Sequence, residues 1–81
     1  MSGESIREIL KEQPFVPFEV HMSSGDVYPV THPENVFVTG ANMFIWYPEE
    51  PGDRVVRCSL LHITGIEMAK NGKSKKKGGK L

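Results

Sequence analysis

The chain has 81 residues, 38% of them hydrophobic, and its ten Lys and Arg balance its ten Asp and Glu to a formal net charge of zero. That length holds one small domain and excludes two, and a chain of this size buries only about 60% of its unfolded surface, so its core is thin and association would add stability. No apolar stretch approaches the roughly 20 residues of a membrane helix, the first residues lack the basic-then-apolar pattern of a secretory signal, and the single cysteine, Cys58, excludes an internal disulfide and fits a reducing, cytoplasmic setting.

Ile6, Ile9 and Leu10 fall at i, i+3 and i+4, with Glu4, Arg7, Glu8, Lys11 and Glu12 on the remaining faces. This spacing predicts an amphipathic helix of about two turns. Ser5 with Glu8 forms a capping box and Ser2 is a second candidate cap, while Pro14 stops the helix. So short a helix is marginal alone, and its stripe, with Phe15, needs a sheet to pack on. From Pro17 the period changes to two. Phe18, Val20 and Met22 alternate with Glu19 and His21, and Ser23-Ser24-Gly25-Asp26 supplies the turn of a hairpin entering residues 27–31. There Tyr28 and Val30 face inward, and Pro29, lacking an N–H, belongs at an edge.

His32-Pro33-Glu34 turns the chain, and residues 35–39 and 43–47 are two further strands joined by Gly40-Ala41-Asn42. The second of them is apolar on both faces. Residues 48–53 form an acidic, proline-bounded loop, and residues 54–59 resume a strand. Leu60-Leu61 reads as a tight buried corner before a last strand, residues 62–68, interrupted by Gly65. The expected fold is α+β: one N-terminal helix, then a small five-to-six-stranded antiparallel, barrel-like sheet within residues 4–69, closure being the usual way to remove exposed edges.

The neutral charge hides a separation. Through residue 69 the chain carries four cations, Arg7, Lys11, Arg54 and Arg57, against all ten acids, a balance of −6, and Lys70, Lys73, Lys75, Lys76, Lys77 and Lys80 follow in the last twelve residues. Residues 70–81 contain only Lys, Gly, Ser, Asn and a final Leu, with nothing to bury, which predicts a disordered basic tail. Six such charges bind phosphates by counterion release without reading sequence.

Two resemblances accompany these patterns. The strings Gln13-Pro14-Phe15-Val16-Pro17-Phe18, Ser24-Gly25-Asp26-Val27-Tyr28, His32-Pro33-Glu34 and Leu60-Leu61-His62-Ile63-Thr64-Gly65-Ile66-Glu67 resemble those of a set of small uncharacterised bacterial proteins, a likeness that brings no activity with it. The order of a helix and then bent strands is similar to Sm-like (SH3-like) barrels, which assemble into rings and bind RNA. The Sm-like pattern places an Asp and, four residues on, an Asn between the second and third strands, and an Arg-Gly pair before the last. This chain has Thr31 and Asn35, and Arg57-Cys58, in those places. The resemblance thus implies Asn35 and Arg57 as base and phosphate contacts.

Other constellations read as structural. His21, His32 and His62 lack the close spacing of zinc ligands, so no metal site and no cofactor is expected from them or from Cys58. Cys58 and His62, four apart on a strand, stand about 13 Å from each other, too far for a nucleophile and its base. Glu49, Glu50 and Asp53 lack the alternating oxygens of a calcium loop and read as solvated. Of the aromatics Phe15, Phe18, Tyr28, Phe37, Phe44, Trp46 and Tyr47, most belong to the core, with Trp46 or Tyr47 left on an outer face suited to a packed partner. The expected function is a non-enzymatic binding or scaffold module that recognises protein or itself, with no small-molecule substrate and a tail adding weak nucleic-acid contact. The alternatives are an Sm-like RNA-binding ring and a small hydrolase using Cys58 or the acidic loop.

Overall fold

A computed structural model describes residues 1–69 of the chain; residues 70–81, expected as a disordered tail, lie outside the described residues. The predicted helix is α1, Gly3–Leu10. Of the two candidate caps it uses Ser2, whose hydroxyl oxygen accepts the Ser5 N–H at 3.2 Å and so satisfies one of the free donors of the first turn. Glu4 in that turn complements the positive end of the helix dipole.

Six strands follow: β1 (Phe18–Met22), β2 (Val27–Val30), β3 (Val36–Val38), β4 (Asn42–Tyr47), β5 (Arg54–Ser59) and β6 (Ile63–Met68). They form two three-stranded antiparallel sheets, a first ordered β2-β1-β6 and a second ordered β3-β4-β5. The fold is therefore α+β with two small sheets. The chain passes between sheets at two 3₁₀ turns, Pro33–Asn35 on the way out and Leu60–His62 on the way back. A side-chain tie also spans them: the Tyr47 hydroxyl of β4 donates to the Pro29 carbonyl of β2 at 2.6 Å.

Each turn follows from its residues. Gly25 sits at φ 97°, where a side chain would be strained. It closes the β1–β2 hairpin by donating its N–H to the Met22 carbonyl, while the Met22 N–H donates to Asp26, the pattern of a hairpin with a left-handed glycine after the turn. Pro29 lies on β2, an edge strand, as its missing donor requires. In the β3–β4 loop, Thr39 Oγ1 accepts the Asn42 N–H at 3.0 Å. The start of α1 is seated against this hairpin, so closely that a Cβ on Gly3 would lie 3.1 Å from Val38 Cγ1 and 3.3 Å from the Thr39 carbonyl.

The core lies between the sheets and under the helix: Ile6 from α1, Phe18 and Val20 from β1, Val30 from β2, Met43 and Ile45 from β4, Cys58 from β5, and Leu60 and Ile63 around the return turn. Ile9, Leu10 and Phe15 pack against it, and Phe15 meets Phe18 edge-on with ring centroids 6.0 Å apart. Two expectations are corrected. Leu60 is buried but Leu61 is 89% exposed, because successive residues of a 3₁₀ turn point about 120° apart and cannot both face inward. Phe37 is 68% exposed, since Val36 and Val38 take the inward side of β3 and alternation turns Phe37 out.

Candidate functional site

Strand alternation gives each sheet an outer face, and the two differ. On the second sheet, β4 points Met43 and Ile45 into the core and turns Phe44 and Trp46 outward. Phe37 of β3 stands directly across from Phe44, Arg57 of β5 faces Phe44 from the other side, and Val55 faces Trp46. The resulting surface has Phe37, Phe44, Trp46 and Val55 around Arg57, with Trp46 at 44% and Val55 at 62% exposure. Directly opposed cross-strand residues are neighbours about 4.5–5.5 Å apart, so these side chains form one patch. Phe37, Trp46 and Val55 are exposed around a half-buried Phe44, a contiguous apolar patch of the kind found at interaction surfaces.

The acidic loop borders one end of this face, and it is engaged with its own chain. Asp53 Oδ1 accepts the Glu49 N–H at 3.2 Å, and Glu49 Oε2 accepts Arg54 Nε at 3.1 Å. The Arg54 guanidinium also lies 4.7 Å from the centroid of the Tyr47 ring, a cation–π contact. Burial pushes the Tyr47 phenol above its ordinary pKa, with the Arg54 charge pulling the other way.

The outer face of the first sheet is mixed: exposed Pro29 and Val27 of β2 stand across from Glu19 and His21 of β1, and the charged side chains gather on the β1–β6 side. Glu19 and His21 project from β1, and Glu67 stands directly across from Glu19 on β6. His21 faces Gly65, where the β1–β6 register shifts and Thr64 Oγ1 donates to the His21 carbonyl at 3.1 Å. His21 Nε2 lies 3.5 Å from Glu19 Oε1 and 3.3 Å from Glu67 Oε1.

Asn35 ends the outbound 3₁₀ turn beside β3 and Arg57 lies on β5. β4 runs between those strands, and Arg57 is level with Phe37, two residues past Asn35, so the two residues stand on opposite sides of β4, about 12 Å apart by strand spacing and rise. Lys70, Lys73, Lys75, Lys76, Lys77 and Lys80 lie outside the described residues. The three histidines do not gather: His21 joins Glu19 and Glu67, and His32 and His62 are exposed, His32 within 3.9 Å of Glu34. Cys58 is buried and burial raises its pKa, the reverse of what an activated thiolate needs. Sequence reasoning missed the Glu19, His21 and Glu67 group. Its local half, Glu-x-His on one strand face, is legible; its third member is 46 residues further on and enters only through the β1–β6 register.

The chain matches no protein-family model, no curated protein and no solved structure.

Proposed function

We propose that the protein is a non-enzymatic binding module that pairs with a second copy of itself through the outer face of the second sheet. The observation carrying this reading is the patch of exposed Phe37, Trp46 and Val55 around half-buried Phe44 on a chain whose own core is small. The face suits a two-fold contact. Arg57 has no ion-pair partner among the described residues, and the acidic loop with exposed Glu50 borders the end of the face where β5 begins. An antiparallel stacking of two copies carries each Arg57 toward the partner's acidic end, so patch and charge are both self-complementary.

Size sets the strength. Strands of three, six and six residues, about 4.8 Å apart with about 3.3 Å per residue, give roughly 240 Å² of projected face, well under the roughly 800 Å² each partner gives to a standard interface. The pair is therefore concentration-dependent rather than permanent. The lysine run adds weak, sequence-independent contact with nucleic acid.

The Sm-like ring draws support from the N-terminal helix and from β1 pairing with both β2 and β6. Its RNA pocket draws less, because Thr31 and Cys58 replace the pattern's Asp and Gly and Asn35 and Arg57 are separated by β4. A hydrolase draws least, its thiol being buried and its acidic loop tied to Arg54.

Native mass by analytical ultracentrifugation across a dilution series tests the proposal. The full chain should move from dimer toward monomer on dilution, and a Phe37→Ser, Val55→Ser double variant should stay monomeric. A chain that is monomeric throughout, or a double variant that associates as the parent does, overturns the self-pairing; a hexamer or heptamer replaces it with the ring.

A further inference from the structure

The outer face of the first sheet holds an arrangement that self-pairing does not use. Glu19 and Glu67 are directly opposed across β1 and β6, and like charges so placed repel and destabilise the pair. Between them lies His21, whose Nε2 is shielded from solvent and makes no hydrogen bond with any described residue. Its separations from the two carboxylate oxygens, 3.3 and 3.5 Å, are long and misaligned for hydrogen bonds. They are the right lengths for something else. Around a tetrahedral ion with bonds of about 2.0–2.2 Å to imidazole nitrogen and carboxylate oxygen, neighbouring ligand atoms stand about 3.3–3.5 Å apart.

We propose that Glu19, His21 and Glu67 form a three-ligand site for a divalent transition ion of the zinc class, clasping β6 to β1. Their ligand atoms all lie within 4.8 Å of one another, so only small side-chain rotations are needed to converge on one point. The backbone is arranged for it. Glu19 and His21 are two apart on one strand and share a face, the register sets Glu67 beside them, and Gly65 opposite His21 leaves open space, with nothing within 4 Å of where a Cβ would stand. The donor set selects the ion. One imidazole nitrogen with two carboxylates suits zinc, whereas calcium takes six to eight oxygens and magnesium keeps an octahedral shell of oxygen and water. An ion here cancels the Glu19–Glu67 repulsion and gives the shielded nitrogen a partner. It also leaves a fourth position facing solvent, because Glu19 and Glu67 are on the surface.

The test is a titration of the full chain with zinc chloride, followed by NMR of the histidine ring nitrogens and by calorimetry. One equivalent should shift the His21 ring resonances while His32 and His62 stay in place, and magnesium or calcium should leave all three unmoved. His21→Ala and Glu67→Gln should each weaken zinc binding by at least about tenfold, the smaller loss seen when even a group supporting a metal ligand is removed, and His32→Ala should leave it unchanged. Glu67→Gln keeps the size of an exposed side chain, and the ring signals of the parent protein report the ligand without any variant. Unmoved His21 resonances at excess zinc, or full-strength binding retained by His21→Ala, overturn the site.

Discussion

The two sheets have three strands each and share one core, yet their outer faces differ. The first sets Glu19, His21 and Glu67 beside Val27 and Pro29, the second shows Phe37, Phe44, Trp46 and Val55 around Arg57. Both follow from the same period-two alternation: the inward positions must be apolar for the molecule to fold, so what they carry says little about function. The outward positions are free of that demand. Where they are charged, ordinary solvation explains them, and only the close meeting of three ligand atoms makes more of them. Where they are apolar in a contiguous patch, solvation does not explain them, and the proposed self-pairing would.

The sharpest way to break this comparison is to ask whether the two sheets share one cooperative core. Phe18→Ala removes a buried ring from the first sheet and Ile45→Ala a buried branch from the second. Each should cost about 2–5 kcal/mol by urea denaturation, the usual loss for truncating a buried large side chain, with single coincident transitions by fluorescence and circular dichroism. If one substitution left a separate early transition while the other did not, the sheets would be distinct folding units, and their outer faces would have to be considered apart.

A second difference lies on the inner faces. The second sheet buries Cys58 and partly buries Tyr47, and burial raises the pKa of both above ordinary values of 9.0 and 10.0. The sign follows from proton counts. The folded state holds these protons to higher pH than the unfolded chain, so stability is intact below 9.0 and falls as pH rises through and beyond the ordinary thiol and phenol range. Melting temperature should therefore decline on the alkaline side, and Cys58→Ala should flatten the beginning of that decline while lowering stability at neutral pH through the cavity it leaves. An alkaline slope unchanged in Cys58→Ala would remove the thiol as a source of the sensitivity and leave Tyr47 to carry it.

Much of this architecture was legible because it is local. The i, i+3, i+4 stripe of Ile6, Ile9 and Leu10, the alternation of residues 18–22, the turn at Gly25 and the edge position of Pro29 all depend on neighbours within a few residues, whereas the expected interruption at Gly65 is a shift of register against β1 within an unbroken β6. What was not legible depends on direction or on distant pairing. Leu60-Leu61 is symmetric as a sequence, and only the pitch of the 3₁₀ turn decides that Leu60 goes in and Leu61 out. Phe37 is as apolar as Phe18, and only the flanking valines decide that it faces water. The division of the strands into two sheets turns on where 3₁₀ geometry breaks the ladder, which composition does not reveal.

A smaller effect separates the outer face from the core of the same sheet. Because Phe37 and Val55 are exposed in the single chain, replacing both with Ser should change monomer stability by no more than about 0.5 kcal/mol each, the usual range for surface positions, while removing self-association. A loss of several kcal/mol at concentrations where the parent is monomeric would mean that these side chains support the fold of each copy, and the patch would lose its claim as an interface.

The weakest expected effect concerns nucleic acid, and it asks whether the second sheet's face reads bases instead of meeting a second copy. Aromatic side chains on a sheet bind single strands when cations accompany them, and here the face offers Arg57 alone within a portion of the chain whose balance is −6. The remaining six cations follow residue 69. Binding of the full chain to single-stranded RNA should accordingly be weak, with Kd on the order of 10⁻⁴ to 10⁻⁶ M at physiological salt, and without base preference. Each phosphate neutralised on a single strand contributes a slope of about −0.7 to log affinity against log salt, so six lysines permit roughly −4 at most. Removing residues 70–81 should abolish the binding, and Arg57→Ala should barely change it. If the shortened chain instead bound RNA with a base preference that Arg57→Ala or Asn35→Ala removed, the apolar face would be a stacking platform, and the contrast between the two sheets would be one between a metal clasp and an RNA reader.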